Sequence, residues 1–584
     1  MKFCLVFLLF FGLYTHANDN SDEYINADEL LTPLPIQVGL GGVVSWGIDS
    51  FGLFSNNDGS LFQPINNLSL VPIAHLGYRN YKRIINLSES SDSSFNFFDE
   101  SEGFLVIQSR SIQYGLGGFL STEGMKIPFG GSVFVGLTPY KGSSTFKVKK
   151  VYSFDETKRN LDSMKVPKNI NELEQLSIGD TISYSSVGAV RFSVGVGLLS
   201  VFEFSRGYLA KGVWSNTITK IDDSKVFVSI KNTKIKSFMK SKKAQILLLD
   251  KQNFKNTDKD FNFTFDLNNP VSVDAYLKSL RGDLTTAQKL SLLKKAGVST
   301  LTSNLSKSVG NIKRYVLGVP VLYKRSGLAS KAISENYSRN IKTGEKIETD
   351  IGMYVRSYRT RGYFSNKKNT GFVFMAQNNK LLKSEKYLKN KISVKFKWYF
   401  QNKNSHPNYI YYRLRRARQV FGYDNLSNLD LSQLEGHGSL LFTRGEIDVP
   451  ISNETLENIL SSDVELLKRK FKENSLSKLE HFLSKSNSNL DLFCPGHFKN
   501  RCIRKLKSST KLAVKKIIKE SSGLNRLYVN DNSKELIKSL TQIGRSLLSN
   551  RFVFQEYFKL IDNTIPKANF SIQGTKFSKV NLEL

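Results

Sequence analysis

The spacing of apolar residues changes once along the chain, near residue 450, and this change constrains the fold more than any other feature. Before it, apolar side chains alternate with polar or small ones, as in Ser132–Leu137 and Ile392–Phe400, which is typical of strands. After Ser452 they recur every three or four residues, as in Leu536–Leu547, which is typical of helices. The pattern predicts an α+β chain with a β-rich antiparallel N-terminal and central body. We expect hairpins in a sandwich- or barrel-like form, a short helical insert and a mainly helical C-terminal region.

The same patterns divide the chain into segments, with the boundary near 450 drawn from the period alone. The predicted segments are 1–17, a signal peptide; 18–150, an acidic Gly-rich β segment; 151–265, a β-hairpin region; 266–312, a helical insert; 313–450, a basic aromatic β region; 451–565, a helical region; and 566–584, an extended tail.

The N-terminus has the composition of a secretory signal peptide. Lys2 supplies a positive charge, Phe3–Tyr14 is almost unbroken in its apolar character, and Ala17 ends a stretch that signal peptidase accepts. An apolar run of about twelve residues is shorter than the roughly twenty needed to cross a bilayer as a helix. We therefore expect an exported protein of the periplasm, the outer membrane or the extracellular space, with no transmembrane helix in the mature chain.

Charge is the second informative feature. The chain has 84 Lys and Arg against 51 Asp and Glu, a formal net charge of +33. The excess is densest between Leu301 and Val420, where 26 basic residues face 5 acidic ones and 17 aromatic residues lie among them. Such a surface attracts anions and offers rings for stacking. The expected partner is an anionic envelope component such as lipid phosphates, lipopolysaccharide or a polymer, and export argues against chromosomal nucleic acid.

The candidate binding residues lie on two segments that we predict to form a hairpin, Ile392–Phe400 and Tyr409–Arg416. The candidates are Lys395, Lys397, Trp398, Tyr409, Tyr411, Arg413, Arg415 and Arg416. The alternative is an ordinary antiparallel sheet with aromatic residues inside and Lys and Arg in solvent.

Two cysteines remain after the predicted cleavage, Cys494 and Cys502. In an oxidising compartment they are expected to form a disulfide, and the short segment between them contains Pro495 and Gly496, which allow it to turn back. The alternative is a metal site, because with His481 and His497 they form a H-x12-C-x2-H-x4-C pattern.

Catalytic motifs give no support for an enzyme. The histidines form no metal-ligand pair of the H-E-x-x-H type, and the chain has no P-loop and no dinucleotide-binding glycine motif. We predict a non-enzymatic cell-envelope or secreted protein that engages an anionic surface or polymer, with no cofactor. The sequence leaves two alternatives, an outer-membrane β-barrel protein and an exported hydrolase with an unrecognised site, and it leaves the oligomeric state open.

Overall fold

The structure is a computed structural model. It describes residues 69–86, 103–121, 131–157, 161–198, 202–244, 247–292, 297–319, 323–340, 345–361, 367–383, 386–405, 408–427, 440–484, 499–574 and 577–584. The predicted signal peptide and Cys494 lie outside these residues.

Fifteen described strands form one antiparallel sheet in which every strand pairs with its neighbours in sequence. Strands β1 to β12 have 16 to 22 residues each, longer than most strands of globular proteins, so they extend for about 50–75 Å. The strands are β1 Ser69–Asn86, β2 Phe104–Ser121, β3 Gly131–Val151, β4 Thr181–Leu198, β5 Phe202–Lys220, β6 Lys225–Ala244, β7 Leu247–Asp266, β8 Val298–Val319, β9 Tyr323–Asn340, β10 Lys346–Arg361, β11 Lys367–Lys383, β12 Lys386–Ser405, β13 Leu440–Pro450, β14 Asn569–Gly574 and β15 Phe577–Glu583.

The described helices interrupt the sheet early and dominate after β13. They are α1 Phe154–Thr157, α2 Ile170–Leu173, α3 Pro270–Leu280, α4 Thr285–Leu292, α5 Asn408–Phe421, α6 Asn453–Leu460, α7 Val464–Leu466, α8 Lys472–Ser484, α9 Lys499–Ser521, α10 Leu524–Val529, α11 Ser533–Leu547 and α12 Arg551–Asp562. A π-helical turn, Leu467–Phe471, joins α7 to α8. Among these helices, none combines the length and the apolar character needed to cross a bilayer.

A first hydrophobic core lies at one end of strands β2 to β8. Strand residues such as Ile182, Ile218 and Phe265 pack there against Tyr276 of α3 and Ala287 of α4. The ring of Tyr276 is fully buried, and its hydroxyl donates a hydrogen bond of 2.8 Å to the carbonyl oxygen of Pro167. The early helices thus cover only one end of these strands.

A second, larger core lies where the C-terminal helices cover strands β10 to β14. Phe396 contacts Phe374 of the neighbouring strand and Phe554 of α12, with ring centroids 4.9 and 5.3 Å apart. Helix α11 lies directly on β10 and β11, because Gly352 and Gly544 have no side chain at the points of contact. A Cβ atom at either glycine would overlap a side chain of the opposing element.

The predicted class is confirmed: the protein is α+β, with a large antiparallel sheet and a mainly helical C-terminal part. The predicted strand Tyr409–Arg416 is wrong, since this segment begins helix α5. Its buried side chains, Ile410, Leu414 and Ala417, recur every three or four residues. Neighbouring tyrosines favour strands by propensity, but burial of this stripe on the second core decides the conformation.

Candidate functional site

Both cores use the same face of the sheet, which we call the helix face. Two residues that pair directly across antiparallel strands lie on the same face of the sheet. Following these pairs from strand to strand shows that Val228 of β6, in the first core, and Phe396 of β12, in the second, are on the same face. Among the described residues, no helix covers the helix face of β3 to β8 at the strand ends away from the first core. This uncovered part, which we call the open face, presents exposed side chains such as Phe192, Phe238 and Lys251.

Four basic residues stand in one row across the open face. Arg206 of β5 pairs with Lys240 of β6, which pairs with Lys251 of β7, which pairs with Lys313 of β8. All four side chains are exposed. Because adjacent strands are about 4.8 Å apart, this cationic row extends for about 14 Å.

The acidic residues of the same strands lie on the reverse face. There Asp258 pairs with Lys231 at 3.5 Å, Asp260 accepts a hydrogen bond of 2.8 Å from Ser229, and Asp250 pairs with Arg314. The rows next to the cationic row also contain no acid; they hold Phe204, Lys242, Leu249 and Tyr315 on one side and Tyr208, Phe238, Asn253 and Asn311 on the other. Like charges directly opposite each other destabilise a sheet. The row therefore carries an electrostatic cost that an anion would relieve.

An apolar row lies beside the cationic row, two residues away on the two strands that the rows share, β5 and β6. Leu137, Phe192, Tyr208 and Phe238 stand in register on β3 to β6. Leu137 is 52% exposed and Phe238 is 63% exposed. The rings of Tyr208 and Phe238 stack with centroids 4.9 Å apart.

The cationic row continues toward a group of arginines beneath helix α5. Lys313 pairs with Ala329 of β9, which pairs with Arg356 of β10. Arg356 lies close enough to Arg416 of α5 for each guanidinium to act on the other, and the Arg416 guanidinium also hydrogen-bonds Tyr358. We call Arg325, Arg356, Arg413 and Arg416 the arginine cluster.

The electrostatics of the arginine cluster are unusual. Burial, and then neighbouring arginines, lower the pKa of the Arg413 and Arg416 guanidinium groups, and the polar groups that oppose this effect are tyrosines. The Nε atom of Arg413 is buried and has no hydrogen-bond partner among the described residues. At the start of α5, a hydrogen bond from Lys368 lowers the pKa of Tyr409. Guanidinium groups without carboxylates are suited to bind phosphate or carboxylate.

The structure separates the predicted binding residues of β12. Trp398 is fully buried in the second core, with its ring centroid 5.3 Å from that of Phe400. Lys395 and Lys397 lie on the reverse face, where Lys395 is exposed and Lys397 pairs with Glu446 at 3.0 Å. The predicted alternation of this strand, apolar on one side and Lys on the other, is confirmed.

The other five predicted binding residues lie together on α5. Tyr409 and Tyr411 are each 40% exposed, Arg415 is half-buried, and Arg413 and Arg416 belong to the arginine cluster. The structure thus places Arg413 and Arg416 beside other arginines and Tyr409 beside Lys368. A binding role for any of the eight stays a prediction.

The cysteine prediction falls partly outside the described residues. Cys502, on α9, is disulfide-bonded, whereas Cys494 and His497 are not described. His481 is exposed on α8. Within the described ranges, no three His, Cys, Asp or Glu side chains stand close enough together to hold a metal ion.

Three of the four residues of the cationic row, Arg206, Lys240 and Lys251, lie outside the segment where basic residues are densest, so composition alone does not reveal the row. A signal was present in β6, where Lys234, Lys236, Lys240 and Lys242 share the parity of Phe238. Their alignment with Lys251 and Lys313 depends on the register of three strands, which the composition of one segment does not reveal.

Comparisons of the chain with protein-family models, with curated proteins and with solved structures find no match.

Proposed function

We propose that this chain is an exported, non-enzymatic envelope or secreted protein that binds an anionic surface or polymer. The observation that carries the proposal is the cationic row, which is exposed, in register across four strands and without acid on that face of the same four strands. The arginine cluster extends the positive region toward α5. Export is supported by Lys2 and the apolar segment Phe3–Tyr14.

The mechanism is electrostatic. An anionic surface or chain laid across β5 to β8 places negative groups over four basic side chains and relieves the repulsion between them. Binding releases the counterions of the ligand, so affinity falls as salt rises. Long lysine side chains are flexible and can reach negative groups at irregular spacing. The row is therefore suited to anionic surfaces and polymers in general and not to one small ligand.

The test compares two triple variants of the full chain for binding to polyphosphate across a salt series. Lys240→Gln/Lys251→Gln/Lys313→Gln removes three charges from the row, and Lys511→Gln/Lys515→Gln/Lys519→Gln removes three exposed charges from α9. We expect the row variant to bind at least about tenfold more weakly and to lose about three units of the salt slope. We expect less than about a twofold loss for the α9 variant. Equal losses would show that net charge alone drives binding and would refute the role of the row.

A second candidate is that the sheet itself enters a membrane. This candidate requires the barrel-like form of the sheet, not the sandwich-like form. The described strands form a single sheet in sequential order, and a sandwich needs two. The open face exposes apolar side chains while the reverse face carries polar ones such as Ser237 and Gln252, which are buried. A protein held at the surface by charge leaves a membrane pellet in high salt, whereas a spanning sheet stays until detergent is added.

A further inference from the structure

The apolar row indicates which anionic partner the open face fits. Exposed aliphatic and aromatic side chains are normal when scattered singly, but a contiguous exposed patch marks an interaction site. Here Leu137, Phe192 and Phe238 lie in one row, with Val190 and Val194 beside Phe192 on β4. Five exposed apolar side chains on β3, β4 and β6, with the ring of Tyr208 on β5 between them, form such a patch.

The apolar row and the cationic row are close enough to meet one ligand. They are two residues apart along β5 and β6, which is about 7 Å. On the other side of the cationic row a basic and an aromatic side chain also meet, since the Nζ atom of Lys242 lies over the ring of Phe204, 5.5 Å from the ring centroid. A partner that covers the cationic row on β5 and β6 therefore also meets the apolar row on these two strands.

We propose that the open face docks on an anionic lipid bilayer, with Leu137, Phe192 and Phe238 entering the boundary between headgroups and acyl chains. This proposal rests on the proposed function and names its partner. Phosphate groups of the lipids lie over the cationic row, while the apolar row is buried in the adjoining hydrocarbon. At this depth the rings contact both the apolar acyl chains and the hydrated headgroups, an environment that suits aromatic side chains.

A soluble polyanion fits the same surface less well. Its charged groups would satisfy the cationic row, and its flat groups could stack on Phe192 or Phe238. It would leave Leu137, Val190 and Val194 in water, because aliphatic side chains gain chiefly by transfer into an apolar phase. The aliphatic members of the patch therefore favour lipid.

The test measures binding of the full chain to phosphatidylcholine vesicles, to vesicles with about one third phosphatidylglycerol, and to polyphosphate. Leu137→Ser/Phe192→Ser/Phe238→Ser removes the apolar row, and Leu512→Ser/Tyr528→Ser/Val529→Ser removes three exposed apolar side chains of α9 and α10. We expect the row variant to bind the anionic vesicles at least about tenfold more weakly and polyphosphate within about twofold of the unmodified protein. The α9 and α10 variant should bind both as the unmodified protein does.

The outcomes separate the two proposals. Unchanged vesicle binding by the apolar-row variant, with polyphosphate binding retained, would overturn the lipid proposal and leave a polymer as the partner. Binding of neither anionic vesicles nor polyphosphate by the unmodified protein would overturn the proposed function itself.

A second measurement detects contact with the membrane directly, without removing the apolar row. Phe238→Trp adds a fluorescent reporter at the β6 end of the apolar row, and the unmodified protein supplies the background from its own tryptophans. We expect the fluorescence to shift to the blue with anionic vesicles and to be quenched by lipids brominated in the acyl chains. An added signal that is unaffected by brominated lipids would place Phe238 outside the hydrocarbon boundary and overturn the proposal.

Discussion

The helix face is covered by helices on strands β10 to β13 and open on strands β5 to β8, so the two regions show how helix packing changes the burial of side chains on one face. On the open strands the reverse face mixes buried apolar side chains, such as Leu209, Ile235 and Phe254, with polar ones. On the covered strands the helix face holds Phe374, Phe396 and Trp398, all almost fully buried. On the open strands the same face holds Phe238 and the cationic row in solvent. An aromatic side chain thus stabilises the fold in one region and is available to a partner in the other.

The largest expected contrast is between two phenylalanines of the same face. Phe396→Ala leaves a cavity among the rings of Phe374 and Phe554, so we expect a loss of about 3–5 kcal/mol in the free energy of unfolding. Phe238→Ala removes a ring that is 63% exposed and contacts the ring of Tyr208 at a tilt, so we expect about 1 kcal/mol or less. Urea unfolding of both variants measures the difference. Similar losses would mean that the open face is covered by protein in solution.

Two glycines offer the next contrast. Gly352→Ala places a Cβ atom against Thr541 and Ile537 of α11, and we expect it to cost about 1–3 kcal/mol through overpacking. Gly188→Ala, in β4 on the open face, meets no atom within 4 Å, and we expect a change within about 0.5 kcal/mol. Thermal unfolding followed by circular dichroism compares them. A Gly352→Ala protein as stable as the unmodified one would show that α11 does not pack closely on β10.

The smallest expected effect concerns the reverse face of the covered strands. Burial alone would raise the pKa of the Glu446 carboxyl, but Lys397 and Arg444 outweigh it and hold this pKa below the usual value of 4.5. Glu446 therefore stabilises the fold above about pH 4.5, and this contribution is lost as the pH falls through the lower pKa of the folded state. Burial raises the pKa of the neighbouring Asp448, and Lys397 opposes that rise.

Lys397→Gln removes the cation that acts on both carboxyls. We expect a loss of about 1–2 kcal/mol at pH 7, since the pair is about a quarter exposed, and a smaller loss at pH 3.5, where the carboxyls carry less negative charge than at pH 7. Lys395→Gln, on the same strand and face, is the control and should change little at either pH. Urea unfolding at the two pH values measures both. An equal loss for Lys397→Gln at pH 7 and pH 3.5 would contradict the ion-pair explanation.

The sequence by itself determined the elements and the faces of individual strands. Alternation in Ile392–Phe400 separated the buried side from the lysine side, and the helical period of Leu536–Leu547 predicted α11 with its buried residues. These inferences work because the side chains of one element follow a fixed local geometry. Where two local tendencies competed, as in α5, the burial of Ile410 and Leu414 on a distant core decided the outcome.

Only the tertiary structure decided which part of the helix face is covered and which basic residues stand together. Trp398 is inaccessible because helices distant in sequence pack over it, and Arg206, Lys240, Lys251 and Lys313 form a row because four strands pair in one register. Register and helix placement depend on contacts between residues far apart in the chain. A periodicity of two or 3.6 residues is a local property, so it assigns a side chain to a face but does not determine what lies opposite that face.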